Sequence, residues 1–132
     1  MRLTEIHDAI FEQVEKSVDG QVGVWDYLPP KEQAPYVVIG RLNFSFSEGQ
    51  SCKFNDGYNA VQKIHIVTNA MERHEAIELQ RKIMDGLNGD LEINGVHIMR
   101  SWVSSGLVEE TSDAEYYAEL DFNLWVMEDM NE

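Results

Sequence analysis

The chain is 132 residues long, 43% hydrophobic and 26% charged, and its 24 acidic against 10 basic residues leave a net charge of −14. A chain of this length suits one domain, expected over 1–132, which buries roughly two-thirds of its unfolded surface and so builds a core without metal or disulfide staples. The charge argues against binding nucleic acid or anionic membrane, since both require a basic footprint, and no apolar run approaches the roughly 20 residues that cross a bilayer.

The opening stretch, MRLTEIHDAIFEQVEK, mixes acids among its apolar positions, unlike a secretory or organellar leader, so the protein is expected to stay where it is made. Cys52 is the only cysteine, which excludes an intrachain disulfide and a cysteine-rich zinc site. Only Lys53 is near enough in sequence to lower its pKa, so Cys52 reads as a small polar-loop residue rather than a reactive thiol.

Leu3, Ile6, Ile10, Phe11, Val14 and Val18 recur at helical spacing, with Glu5, Asp8, Glu12 and Glu15 largely opposite them. They predict a first helix, ended by Asp19-Gly20. Pro29 and Pro30 then forbid regular structure, and Pro35 sets the entry to a strand. From 36 onward Tyr36, Val38, Leu42, Phe44 and Phe46 are apolar while Arg41, Asn43 and Ser45 are polar, which predicts a strand that buries its even positions. SEGQSCKFNDG follows, a stretch of turn residues that predicts a long, mobile hairpin loop over 47–56.

Residues 58–68 alternate again, with Tyr58, Ala60, Ile64 and Ile66 on one side and Asn59, Lys63 and His65 on the other. Asn69, three residues before Glu72, suits the N-cap of a second helix. The buried face of that helix is expected through Ala76, Ile77, Gln80, Ile83, Met84 and Leu87, with Asn88-Gly89 closing it. Asn94-Gly95 predicts a tight hairpin between 91–93 and 96–103. In the last strand Tyr116, Ala118, Leu120, Phe122, Leu124 and Val126 alternate with Glu115, Glu119, Asp121 and Asn123, and a slip of one residue would bury three acids. The sum is an α+β fold: a mainly antiparallel β-sheet with two α-helices packed on one face, its other face polar and either exposed or set against a neighbouring subunit.

No catalytic constellation emerges. His7, His65, His74 and His97 include no pair at the spacing of a helical zinc site, and there is no HExxH. Gly86, Gly89 and Gly95 form neither GxGxxG nor a P-loop, and Ser101, Ser104 and Ser105 lack a nucleophile elbow. DGYNAV does not match a calcium loop, and Glu109-Glu110 reads as a solvated pair in a polar hairpin loop. No enzyme activity, metal or cofactor is expected.

Two surface features stand out. After Arg100 there is no Lys or Arg, while nine acids follow, from Glu109 to Glu132. Such a run is either a face that docks on a basic partner or an ordinary solvated surface. Trp25 and Tyr27 stand beside Pro29-Pro30, and Tyr117 and Trp125 fall on the otherwise polar side of the last strand. Large aromatics so placed mark protein interfaces, unless their own chain covers them. With Cys52, Lys53 and Phe54 of the hairpin loop they form the candidate interface set.

The order of short motifs resembles the tail-completion (tail-terminator, head-to-tail joining) proteins of long-tailed bacteriophages. After the first helix comes Val24-Trp25-Asp26-Tyr27-Leu28-Pro29, then Pro35-Tyr36-Val37-Val38-Ile39-Gly40, then Gln62-Lys63-Ile64-His65-Ile66-Val67. A helix containing Glu75-Ala76-Ile77-Glu78-Leu79-Gln80-Arg81-Lys82-Ile83 follows, then Gly89-Asp90-Leu91-Glu92-Ile93-Asn94-Gly95 and a long final strand. Thr68 stands where the family pattern carries an aromatic. Each motif alone is common strand and turn grammar, and the ordered set carries the resemblance.

The resemblance implies a virion structural protein at the head-proximal end of the tail, assembled in the cytoplasm of a bacterial host. It implies a ring, commonly of six copies, that caps the tail tube, ends its growth and joins the tail to the head. The implied partners are further copies of itself, the tail tube protein and the head connector. It also implies a role for the 47–56 loop in ordering against the tube or a neighbour, and an acidic passage to which DNA does not stick. The competing readings are another minor virion role such as head closure, and an acidic inhibitor that imitates DNA to bind a basic host protein.

Overall fold

A computed structural model describes residues 2–27, 33–46, 57–69, 73–89, 91–111 and 115–128. Helix α1 (Leu3–Val18) is followed by strands β1 (Gly23–Trp25), β2 (Tyr36–Ser45) and β3 (Tyr58–Asn69). Helix α2 (Arg73–Leu87) and strands β4 (Val96–Glu110) and β5 (Glu115–Glu128) complete the order. The strands form one sheet in the order β1-β2-β3-β5-β4, antiparallel except for the parallel pair β1–β2. This is the expected α+β class, with α1 and α2 packed together on one face of the sheet.

Helical periodicity builds the upper half of the core. α1 buries Ile6, Ile10, Val14 and Val18, one residue per turn, and α2 buries Ala76, Leu79, Ile83 and Leu87. Each fully buried aliphatic contributes about 1.5–3 kcal/mol. The two helices approach closely at Gly86, where a Cβ would stand 1.8 Å from Ser17 Oγ. Gln13 uses the approach, its Nε2 donating to Gly86 O at 2.9 Å. Asp19 ends α1 in the left-handed conformation, φ 49°, its N–H reaching back to Glu15 O and Lys16 O.

The lower half is the sheet. β3 and β5 pair over their whole length, with Ala60 opposite Leu124, Ile64 opposite Leu120 and Ile66 opposite Ala118. Their even residues face the helices and their odd residues face away, as the alternation predicts.

β2 departs from expectation. Val37 and Ile39 are its fully buried residues, not the even positions. A register shift between Ile39 and Leu42 then returns Leu42 and Phe46 to the helix side. The physical reason is a bulge: Gly40 and Arg41 add one residue to β2, which flips the phase of all that follows. Gln62, buried opposite Leu42, satisfies the disrupted ladder, its Nε2 donating to Gly40 O at 2.9 Å and Arg41 O at 3.2 Å.

Four further expectations shift. β4 runs on to Glu110 through two register shifts, so Glu109 and Glu110 are strand residues paired with β5 rather than loop residues. The hairpin arm at 91–93 shrinks to a single bridge, Ile93 to Val96, around Gly95 at φ 78°. Ile77 is 42% exposed, because Leu79 lies nearer the centre of the buried stripe of α2. Asn69 ends β3 opposite Glu115, and its proposed capping partner Glu72 lies outside the described residues. The predicted loop over 47–56 also lies outside them.

Candidate interface on the open sheet face

The odd residues of β3 and β5, with their neighbours on β2 and β4, form a sheet face that the helices leave uncovered. Strand register assembles its centre: Lys63 lies opposite Asp121, and His65 opposite Glu119, with Tyr117 two residues along β5. Lys63 Nζ sits 3.6 Å from Glu119 Oε1 and 3.5 Å from Asp121 Oδ1. The Tyr117 hydroxyl donates to Glu119 Oε2 at 2.7 Å, and Ser105 Oγ donates to Asp121 Oδ2 at 2.9 Å.

His65 Nδ1 meets the Tyr117 hydroxyl oxygen. Tyr117 has one proton, already given to Glu119, so His65 must donate, which fixes the tautomer with the hydrogen on Nδ1. The remaining ring nitrogen, Nε2, stands against the backbone of Gly40. Burial pushes the His65 pKa below its ordinary value, and Lys63 adds to this while Glu119 and Asp121 oppose it. Tyr117 is raised, by burial first and then by its bond to Glu119. Both groups are therefore neutral near pH 7.

Half-buried apolar side chains frame this centre. Further along β5 lie Trp125 and Met127, and on β4 Trp102, with the Arg100 guanidinium stacked 4.7 Å above its ring. Toward β2 lie Tyr36, Val38, Val61 and Val67. Among the described residues no group of three or more His, Cys, Asp and Glu is placed to hold a metal ion. The arrangement is a rigid, partly apolar surface with fixed polar points, which is the character of a protein-binding face.

Of the predicted interface residues, Tyr117 and Trp125 both lie on this face, toward opposite ends of β5. Trp25 lies on β1 at the sheet's edge, half-buried, its indole nitrogen buried without a hydrogen-bond partner among the described residues. Tyr27, just beyond it, is 65% exposed. Cys52, Lys53 and Phe54 lie outside the described residues. Sequence reasoning missed Lys63, His65, Glu119 and Asp121 as a set, and Trp102 with Arg100. The signal was present in part: both strands put their polar residues at odd positions, and the two odd sets are opposite in charge.

Among solved structures, the fold is similar to a chain described as "Virion of native gene transfer agent (GTA) particle". The TM-score is 0.69 at 21% identity, over 91% of this chain and 92% of that one. No curated protein matches the sequence. The family model described as "Tail completion protein gp17" matches residues 8–127, nearly the whole of the fold just described. Among the described residues, no helix is long and apolar enough to cross a membrane. The chain belongs to the tail completion protein gp17 family, and is a structural tail protein.

Proposed function

We propose that the protein caps the head-proximal end of a tail tube as a homo-oligomeric ring, ending tube elongation and presenting the surface to which the head connector attaches. The family match over residues 8–127 carries this reading. The structure supports it with a rigid sheet whose open face and outer strands leave several surfaces for neighbouring subunits. A ring needs heterologous contacts, in which one patch of a subunit meets a different patch of the next. The open face, with Trp125, Tyr117 and Trp102, and the β1 edge, with Trp25 and Tyr27, are two such patches. The net charge of −14 suits a passage for DNA, because like charge discourages adsorption of the phosphate backbone.

The test is electron microscopy of lysates from the parent phage or induced prophage with this gene interrupted. Filled heads without tails, beside tails of uncontrolled length, are expected. Normal infectious virions would overturn the proposal.

A further inference from the structure

Among the described residues β4 is an outer strand of the sheet and pairs with β5 on one side alone. A strand of 15 residues with an open edge is a template for another strand, and edges are usually blunted with lysine, proline or charge. Between Arg100 and Glu110 this one carries neither lysine nor proline, and Ser104, Ser105, Gly106 and Leu107 are all exposed. A groove of about 370 Å³ runs beside it, lined by Met84, Val103, Val108 and Leu120 among others.

The register on β5 sorts the β4 side chains by face. Arg100, Trp102, Ser105, Leu107 and Glu109 oppose odd residues of β5 and lie on the open face. Ser101, Val103, Gly106 and Val108 oppose even residues and lie on the helix face. Along the open face the order is therefore cation, aromatic, small, aliphatic, anion. Read backwards, as in an antiparallel neighbour, the same row is complementary to itself.

From this we infer that β4 pairs with β4 of a second copy about a two-fold axis at Ser104-Ser105. In that register Arg100 meets Glu109 of the second copy and Trp102 meets its Leu107. On the helix face Val103 meets its Gly106 and Ser101 its Val108. Each contact occurs twice, as an isologous interface requires. The bulge at Val103/Ser105 would break the register of an ordinary partner strand. Here both copies place it on the axis, where the extra residues face each other and both flanks stay in phase. The product is a continuous ten-stranded sheet with the groove closed at its centre. Arg100 is held for this contact by its stacking on Trp102.

This pairing concerns the purified protein and does not depend on the ring, which the electron microscopy tests separately. The experiment is sedimentation equilibrium and light scattering over a range of concentrations, for a chain of 15.2 kDa. The wild type is expected to reach twice that mass. Arg100→Glu and Glu109→Arg each turn two attractive contacts repulsive and should weaken the dimer roughly tenfold or more. The double variant restores the charges in exchanged positions and should recover most of the affinity. Leu107→Lys should also dissociate the dimer, and circular dichroism melting checks that each exposed substitution leaves the fold intact. A monomer at every concentration overturns the proposal. So does any oligomer that is indifferent to Arg100→Glu and Glu109→Arg, or a double variant no better than the singles.

Discussion

The imidazole of His65 packs on Gly40: a Cβ at position 40 would stand 2.7 Å from Nε2 and 2.8 Å from Cδ2. Two motifs that are separate in sequence, the Pro-Tyr-Val-Val-Ile-Gly strand and the Ile-His strand, are joined by this contact. Glycine leaves the ring room to lie flat and turn Nδ1 toward Tyr117. Gly40→Ala is expected to cost roughly 1–3 kcal/mol, the range for overpacking. Urea denaturation measures it, and a His65→Ala background should absorb most of the cost. Equal losses in both backgrounds would show that the ring is not the obstacle.

The same imidazole gives an acid-side dependence. Its folded pKa lies below 6.5, so the fold favours the neutral form. That contribution is complete above pH 6.5 and is lost as pH falls through the folded value. Thermal melts from pH 7.5 down to 5 should fall more steeply for the wild type than for His65→Gln. Parallel curves would assign the acid sensitivity to the carboxylates instead.

Tyr58 governs the alkaline side. It is fully buried at the end of β3, with its hydroxyl 3.3 Å from Glu128 Oε1. Burial, and then the Glu128 charge, push its pKa from 10 to about 12. The fold favours the protonated phenol, so its contribution is complete below pH 10 and is lost as pH rises through about 12. The difference amounts to roughly 2–3 kcal/mol. Tyr58→Phe keeps the ring and should flatten the wild-type loss of stability between pH 10 and about 12, as followed by circular dichroism.

Gln62 is the third sensitive point, because it supplies donors to the bulge carbonyls of Gly40 and Arg41 from inside the core. Gln62→Leu fills similar space and removes them, at an expected cost of about 1–3 kcal/mol. Gln62→Glu should cost more, since a buried carboxylate would face two carbonyl oxygens. A neutral leucine variant in urea denaturation would mean that those carbonyls have other partners.

Much of this architecture was legible in the residues. The spacing of Ile6, Ile10, Val14 and Val18 and the alternation of Tyr116 to Val126 each satisfy one period throughout, so helix and strand followed directly. β2 was misread because its sequence keeps an even-position rhythm while the bulge at Gly40-Arg41 changes which face that rhythm serves. Nothing local distinguishes the two cases; the fully buried Gln62 on the neighbouring strand does. β4 was cut short at Val103 and Glu109-Glu110 read as loop, yet pairing to β5 carries the strand on through Ser104, Ser105 and Gly106 to Glu110. Tyr117 and Trp125 could be placed on the polar face from parity alone. The meeting of Tyr117 with His65 depends on which strand lies beside which, and strand order is not written in periodicity.

That strand order has a consequence for synthesis. β5 lies between β3 and β4, although it follows both of them in the chain. While the ribosome is still adding residues before Glu115, β3 has β2 on one side and no neighbour on the other, and β4 has no strand to join. The sheet closes only when the final segment inserts between two waiting edges. Without Glu115–Glu128 both edges stay open, so the two halves of the open face are joined through that one segment.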